Sequence, residues 1–379
     1  MAKAMLMLKQ KCSFVSGSLF HKYVGPSSYF IQTKTYSNFE PKLGKGGRSS
    51  FSGVVATVFG ATGFIGRYVV NRLGRVGSQV VIPYRGNEYD YNPLKVMGDL
   101  GQMLFFEYHL RDVDSVADMM KHSNVVINLI GKTFCTRNFT FDDCHVEGAR
   151  TIARAAKQVG VHRFIHVSAL NANEESTSQF LQSKARGEKA VREEFPDAII
   201  LRPSDVYGHE DKYFNYYSYF RNIPFGVPLI DGGMNTRKRP VFVVDVAKAI
   251  INSMYVGKPG NTYELFGPKE YFLFDLLDYI YRMNRRKFRH YNLPRPLYNL
   301  VAWAAEQSIF DPRLTRDMLF RQFNTDVPTE GLPRLQDLGI EPTAVDKAAI
   351  TVLRRHRDLW TFEEALDEEE KCKPTTAYV

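Results

Sequence analysis

At 379 residues, with 44% hydrophobic and 13% aromatic content, the chain is long enough to bury a sizeable core, either in one large α/β domain with additions or in two domains. Its formal net charge of +9 is diffuse, and no short window alternates Lys or Arg with aromatics as an RNA-stacking surface would, which argues against nucleic acid as a partner. The four cysteines, Cys12, Cys135, Cys144 and Cys372, offer neither a CxxC pair nor a zinc-type His–Cys spacing, and no stretch of about 18 apolar residues is available to span a bilayer.

Residues 1–39 carry no Asp or Glu, while Lys3, Lys9, Lys11, Lys22 and Lys34 are scattered among Ser, Thr and apolar residues. That composition predicts a mitochondrial transit peptide removed near Tyr36, although Arg is missing from it. Lys9 and Lys11 interrupt the apolar core that a secretory signal needs. A Gly/Ser-rich linker over residues 40–53 follows.

An apolar run, Val54 to Phe59, then breaks into Gly60, Gly63 and Gly66 and passes into a helical pattern. Strand, glycine turn and helix in that order suit a dinucleotide. The chain must turn tightly, let a pyrophosphate approach where no Cβ intrudes, and present helix N-terminal N–H groups to the anion. Gly60, Gly63 and Gly66 fit these three roles, with Thr62, Phe64 and Ile65 between them on the same nucleotide-facing turn. The spacing is GxxGxxG rather than GxGxxG.

A second strand, Gln79 to Tyr84, ends at Arg85, and no acid follows until Glu88. An acid at this place would accept from ribose hydroxyls, whereas an arginine pairs with an added phosphate, so NADP(H) is expected ahead of NAD(H) and then FAD. A third strand, Met103 to Leu110, leads to Asp112, placed to meet an adenine edge. The fourth, Asn124 to Ile130, closes on Gly131, so Leu129, Ile130 and Gly131 bring backbone against the nucleotide. A helix over Phe141 to Val159 and a strand from Arg163 to Ala169 follow. Helices of about 15 residues between such strands predict a parallel, doubly wound sheet, because parallel pairing needs crossover connections.

Over residues 54–256 the chain resembles the short-chain dehydrogenase/reductase superfamily, in its extended or atypical branch. The resemblance implies a Rossmann fold with a serine at the end of strand five, matched by Ser168, and a YxxxK motif on the next helix. Lys184 matches the lysine, but the tyrosine position holds Phe180. A phenyl ring has no ionisable proton, so no catalytic residue is expected, and Lys184 is left as a ribose ligand. Tyr207 is the nearest tyrosine that could substitute, and Pro203 is expected to line the nicotinamide pocket.

Beyond residue 256 a smaller, mostly helical region extends to residue 379. A strand is expected over Asn261 to Phe266, and helices over Phe272 to Met283 and Lys347 to Arg357. The basic run Arg285 to His290, followed by Leu293, Leu297, Leu300, Val301 and Trp303, is suited either to an anionic membrane surface or to an ordinary solvated helix end. An acidic cluster, Asp367 to Glu370, closes a contact-making tail.

Several stretches resemble the nucleotide-binding accessory subunits of mitochondrial NADH:ubiquinone oxidoreductase, respiratory complex I. They are Gly46 to Ser50, the glycine turn, Ile82 to Arg85, Ser123 to Gly131 and Val352 to Arg357. That resemblance implies a chain on the matrix side of the inner membrane, surrounded by other complex I subunits near the quinone-reducing junction, holding NADPH without turning it over. Two other readings compete: an active NADPH-dependent reductase or epimerase of the matrix, and an NADP-sensing binding protein.

Overall fold

Seven short segments rich in Val, Ile, Leu and Phe build one sheet in the computed structural model, which describes residues 51–220, 226–308, 312 and 314–357. The expected transit peptide, nearly all of the Gly/Ser linker and the acidic cluster lie outside the described residues. The strands are β1 (Val55–Phe59), β2 (Gln79–Tyr84), β3 (Met103–Glu107), β4 (Val125–Asn128), β5 (Arg163–Val167), β6 (Ile199–Pro203) and β7 (Thr262–Leu265). Their order is β7-β6-β5-β4-β1-β2-β3, and every pairing is parallel. Strands covered on both faces need no polar alternation, which explains why β1 and β4 are buried and mostly apolar, with Thr57 and Asn128 hydrogen-bonded where they interrupt the runs.

The chain runs from β1 outward through β2 to β3 and then returns to β4 on the other side of β1, in register from Ala56 with Val125 to Phe59 with Asn128. Ligands of open α/β sheets bind outside the carboxyl ends of the strands where the order reverses, here between β1 and β4. Helices α1 (Phe64–Val76), α2 (Val113–Met120), α3 (Gly148–Val159) and α4 (Gln179–Glu194) make the crossovers. A core of Phe59, Val126, Ile152, Phe164 and Val191 lies under α2, α3 and α4.

Three features add to or differ from the sequence expectation. β3 stops at Glu107, although Tyr108 and Leu110 remain buried. The helix expected from Phe141 does start there, but it widens into a π turn over Asp143–Glu147 before α3, where α4 packs so closely that a Cβ on Gly187 would lie 2.2 Å from the His145 carbonyl oxygen. The expected late strand is β7, and it pairs with β6 from Thr262 with Ile200 to Leu265 with Pro203, carrying the main sheet beyond residue 256.

Besides a single helical turn, Asn92–Lys95, between β2 and β3, the further helices among the described residues are α5 (Phe214–Tyr219), α6 (Val243–Tyr255), α7 (Leu273–Met283), α8 (Arg295–Glu306), α9 (Arg316–Gln322) and α10 (Val345–Leu353). Several of them share a second core that includes Tyr207, Phe214, Leu273, Leu277, Ile280, Ala349 and Val352. No helix among the described residues is long and apolar enough to cross a membrane.

Candidate functional site

At the end of β1 the backbone of Gly60 takes φ +79°, and a Cβ there would stand 3.0 Å from the Leu129 carbonyl carbon and 3.2 Å from the Ile130 nitrogen. The turn therefore lies directly on the end of β4, joining Gly60, Leu129 and Ile130 at the point where the strand order reverses. Gly66 is shut in from behind: its Cβ would fall 2.5 Å from the carbonyl oxygens of both Gly60 and Ala61. Gly63 is exposed, N-caps α1, and leaves that helix with no side-chain cap and no acid in its first turn. An open, uncapped N-terminus offers its N–H groups to an anion. Thr62, Phe64 and Ile65 are half-buried beside it, and Phe64 also packs against Gly208.

The second half of the cleft gathers Gly131, Ser168 and Lys184. Lys184 is buried on α4, donates from Nζ to the Val167 carbonyl at 3.1 Å, and lies 3.4 Å from where a Gly131 Cβ would be. Burial pulls its pKa down to about 8, with Glu188 opposing the shift. Ser168 follows Val167; its backbone N–H donates to Leu201, while its buried Oγ has no partner among the described residues. His166, on the same strand, accepts at Nδ1 from Asn128 Nδ2 at 3.2 Å, and its buried Nε2 likewise finds no partner. Burial, then the Lys184 charge, lowers the His166 pKa to about 3. Buried hydrogen-bonding groups are rarely left orphaned, so orphans beside a glycine cradle fit a polar ligand. Pro203 is buried at the end of β6, and its carbonyl accepts from Leu170 N at 2.7 Å, fixing the loop after β5.

Phe180, where the resemblance leads one to expect a proton-donor tyrosine, has surroundings that are apolar or already paired. Arg321 Cζ of α9 stands 4.1 Å from the ring centroid, His145 meets the ring edge-on at 5.2 Å, and Phe141 does so at 6.0 Å. Lys132 N donates to His145 Nε2 at 3.0 Å, so the imidazole proton is on Nδ1 and donates to Ser183 Oγ at 2.8 Å. Ser183 in turn donates to the Phe180 carbonyl. Burial and the nearby Lys184 charge push the His145 pKa down to about 2, which keeps it neutral. Tyr207, the possible substitute, is fully buried in the second core, stacked 4.7 Å from Phe214. It is placed by packing, and its hydroxyl has no hydrogen-bond partner among the described residues.

Helix α9 was not foreseen at this site. Its Asp317 accepts from Ser178 Oγ at 2.8 Å and from Phe180 N at 3.4 Å, and pairs with Arg321 at 3.1 Å. Arg321 also donates to the Thr133 carbonyl at 3.1 Å. Single polar residues with no motif around them gave no signal in the sequence.

Arg85 is exposed at the end of β2, with its guanidinium carbon 5.1 Å from the Phe139 ring centroid. Asp112 is exposed and caps α2, accepting from Asp114 N at 3.2 Å. Together the cradle, the orphaned polar atoms and the exposed cation at the end of β2 have the chemistry of a site for a polar, anionic ligand such as a dinucleotide.

The sequence profile of the NAD dependent epimerase/dehydratase family matches residues 56–265. The mitochondrial NADH dehydrogenase (ubiquinone) 1 alpha subcomplex subunit 9 of Rattus norvegicus is 51% identical over 332 residues, covering 87% of this chain and 87% of its own. The mitochondrial NADH-ubiquinone oxidoreductase 40 kDa subunit of Neurospora crassa is 40% identical, covering 83% and 82%. Among solved structures, an NADPH-dependent quinone oxidoreductase of Escherichia coli complexed with NADPH superposes with a TM-score of 0.63 over 79% of this chain and 99% of its own, at 16% identity, a likeness of fold alone. The chain thus belongs to the NAD dependent epimerase/dehydratase family and, within it, to the alpha subcomplex subunit 9 branch of mitochondrial complex I proteins.

Proposed function

We propose that this chain is an accessory subunit of mitochondrial complex I that binds NADP(H) as a structural ligand and does not turn it over. The observation that carries the non-catalytic reading is Phe180 with the α9 guanidinium 4.1 Å from its ring centroid. The phenyl ring has no proton to give, and the guanidinium of α9 lies against it. Arg85 supports NADP(H) over NAD(H). A ligand bound only by the folded state adds RT ln(1 + [L]/Kd) of stability, which is how a nucleotide that never reacts still supports assembly near the quinone-reducing junction. Native electrophoresis of gently solubilised mitochondrial membranes, with mass spectrometry of nucleotide released from the band, tests this. Co-migration with complex I carrying NADPH is expected; a free matrix protein that oxidises NADPH would overturn it.

The partners on this reading are other complex I subunits, with a peripheral contact to the matrix leaflet of the inner membrane through residues 285–303. Helix α8 turns Tyr298 and Ala302 inward and leaves Leu297, Leu300, Val301 and Trp303 about half exposed, and Arg286, Lys287 and Arg289, shortly before it in the chain, are exposed too. An apolar stripe beside basic residues suits an anionic interface. The full chain should sediment with vesicles containing cardiolipin and not with pure phosphatidylcholine, and Leu300→Glu should abolish this; sedimentation unaffected by that change would rule the face out.

A further inference from the structure

The loop that follows β4 carries charge that the glycine cradle does not explain. Around the ring of Phe139 stand three cations from the ends of three strands: Arg85 after β2 with Cζ at 5.1 Å from the centroid, Arg111 after β3 at 4.7 Å, and Lys132 after β4 with Nζ at 5.3 Å. The loop that positions them is built. Arg111 donates to the Asn138 carbonyl at 2.9 Å, Lys132 Nζ to Thr136 Oγ1 at 2.9 Å, and Thr136 N to the Phe139 carbonyl at 3.0 Å. Thr140 N and Oγ1 donate to Asp143, at 2.8 and 2.9 Å, closing the loop onto the π turn.

Three like charges about one ring repel one another, and the ring face compensates only in part. Asp143 approaches one of them, at 3.9 Å from Arg111, and it is already accepting from Thr140. The cluster keeps a net positive charge that an anion of more than one charge would complement. The end of β2 is where the adenosine ribose of a dinucleotide lies, and a phosphate monoester there is close to a dianion at neutral pH.

We propose that Arg111 and Lys132 join Arg85 in a three-cation clamp for the adenosine 2′-phosphate, with the Phe139 ring as the spacer that holds the cations in place. The clamp rests on the nucleotide reading and deepens it: selection for the phosphorylated cofactor comes from three strand ends, and the loop after β4 is part of the binding site. Parallel topology brings these residues together across 47 positions of sequence, from Arg85 to Lys132.

The test is equilibrium binding to the full chain of adenosine 2′,5′-bisphosphate and adenosine 5′-monophosphate, which differ by the 2′-phosphate alone. Wild-type protein should prefer the bisphosphate. Lys132→Met and Arg111→Met should each lower bisphosphate affinity by roughly tenfold or more, the worth of a charge-assisted hydrogen bond, with monophosphate affinity held within about twofold. Lys132→Arg should keep the preference. Variants that weaken both ligands equally, or neither, would overturn the clamp while leaving the nucleotide site standing. A wild-type chain that binds neither ligand, nor NADPH, would overturn the nucleotide reading and the clamp with it.

Discussion

Phe180 differs from the tyrosine of an active relative by one oxygen atom, so restoring that atom separates loss of a group from loss of a site. The ring lies under Arg321 and against His145, whose imidazole is neutral with both nitrogens hydrogen-bonded. Phe180→Tyr alone is therefore expected to leave NADPH oxidation at background with carbonyl or quinone acceptors, and clear turnover by that single variant would show an open substrate half. Lys184 makes a second, opposite kind of prediction. Its pKa falls from 10.5 to about 8 in the fold because burial disfavours the ammonium. Below pH about 8 the lysine is charged in both folded and unfolded chains, and its burial counts fully against the fold. Between about 8 and 10.5 the folded chain has lost a proton that the unfolded chain keeps, so stability rises with pH across that window. Lys184→Met should melt at a higher temperature than wild type at pH 7, with the gap narrowing by pH 10, while its NADPH affinity drops. A gap constant across that range would mean that Lys184 is not held in a desolvated site.

At the scale of elements, the strand–turn–helix unit was legible from Val54 to Arg67 because its glycines answer to local geometry, and the structure separates their reasons. A Cβ on Gly66 would meet two backbone oxygens at 2.5 Å, which cannot move without opening the turn. Gly160, at the end of α3, has φ +79° but nothing within 4 Å of its Cβ position. Gly160→Ala should cost about 1 kcal/mol from backbone strain alone. Gly66→Ala should cost about 2–4 kcal/mol and remove nucleotide binding, both read by urea unfolding and by ligand titration. Equal costs would mean that the turn relaxes around the methyl group. What the sequence concealed are features made between elements. The π turn at Asp143 depends on the approach of Gly187 from another helix, and α9 reaches Phe180 through Asp317 and Arg321, which look like ordinary helix charges. Arg85 stands out in the sequence because it ends a strand; that Arg111 and Lys132 stand with it around the Phe139 ring does not, since only the sheet order places them there.

Over the whole molecule, the question is what keeps α9 on the site. Lys238 is 2% exposed and reaches Asp205 at 2.9 Å, Asp326 at 3.4 Å and the Arg321 carbonyl at 3.0 Å. The two carboxylates outweigh burial and hold its pKa above the ordinary lysine value. Around this buried cation, Asn171 from the loop after β5 donates to the Thr325 carbonyl and accepts from Val327 N, and Thr236 donates to the Phe323 carbonyl. These bonds run from the loops of the parallel sheet to the segment that follows α9, so the cover over Phe180 is latched from its C-terminal side. Lys238→Met would leave Asp326 buried with the Arg239 amide as its remaining partner here, a loss of about 3–5 kcal/mol for an orphaned buried charge. The variant should gain tryptic cleavage at Arg321 under conditions where wild type is resistant, because the lost Lys238 bond is the one that holds the Arg321 carbonyl. Lys238→Met combined with Asp326→Asn should recover part of the stability, since the orphaned charge is then removed, without recovering the resistance. If instead cleavage in Lys238→Met stayed at the wild-type level while stability fell, α9 would be held by its own contacts with Phe180 and Thr133, and the buried cation would serve the second core alone.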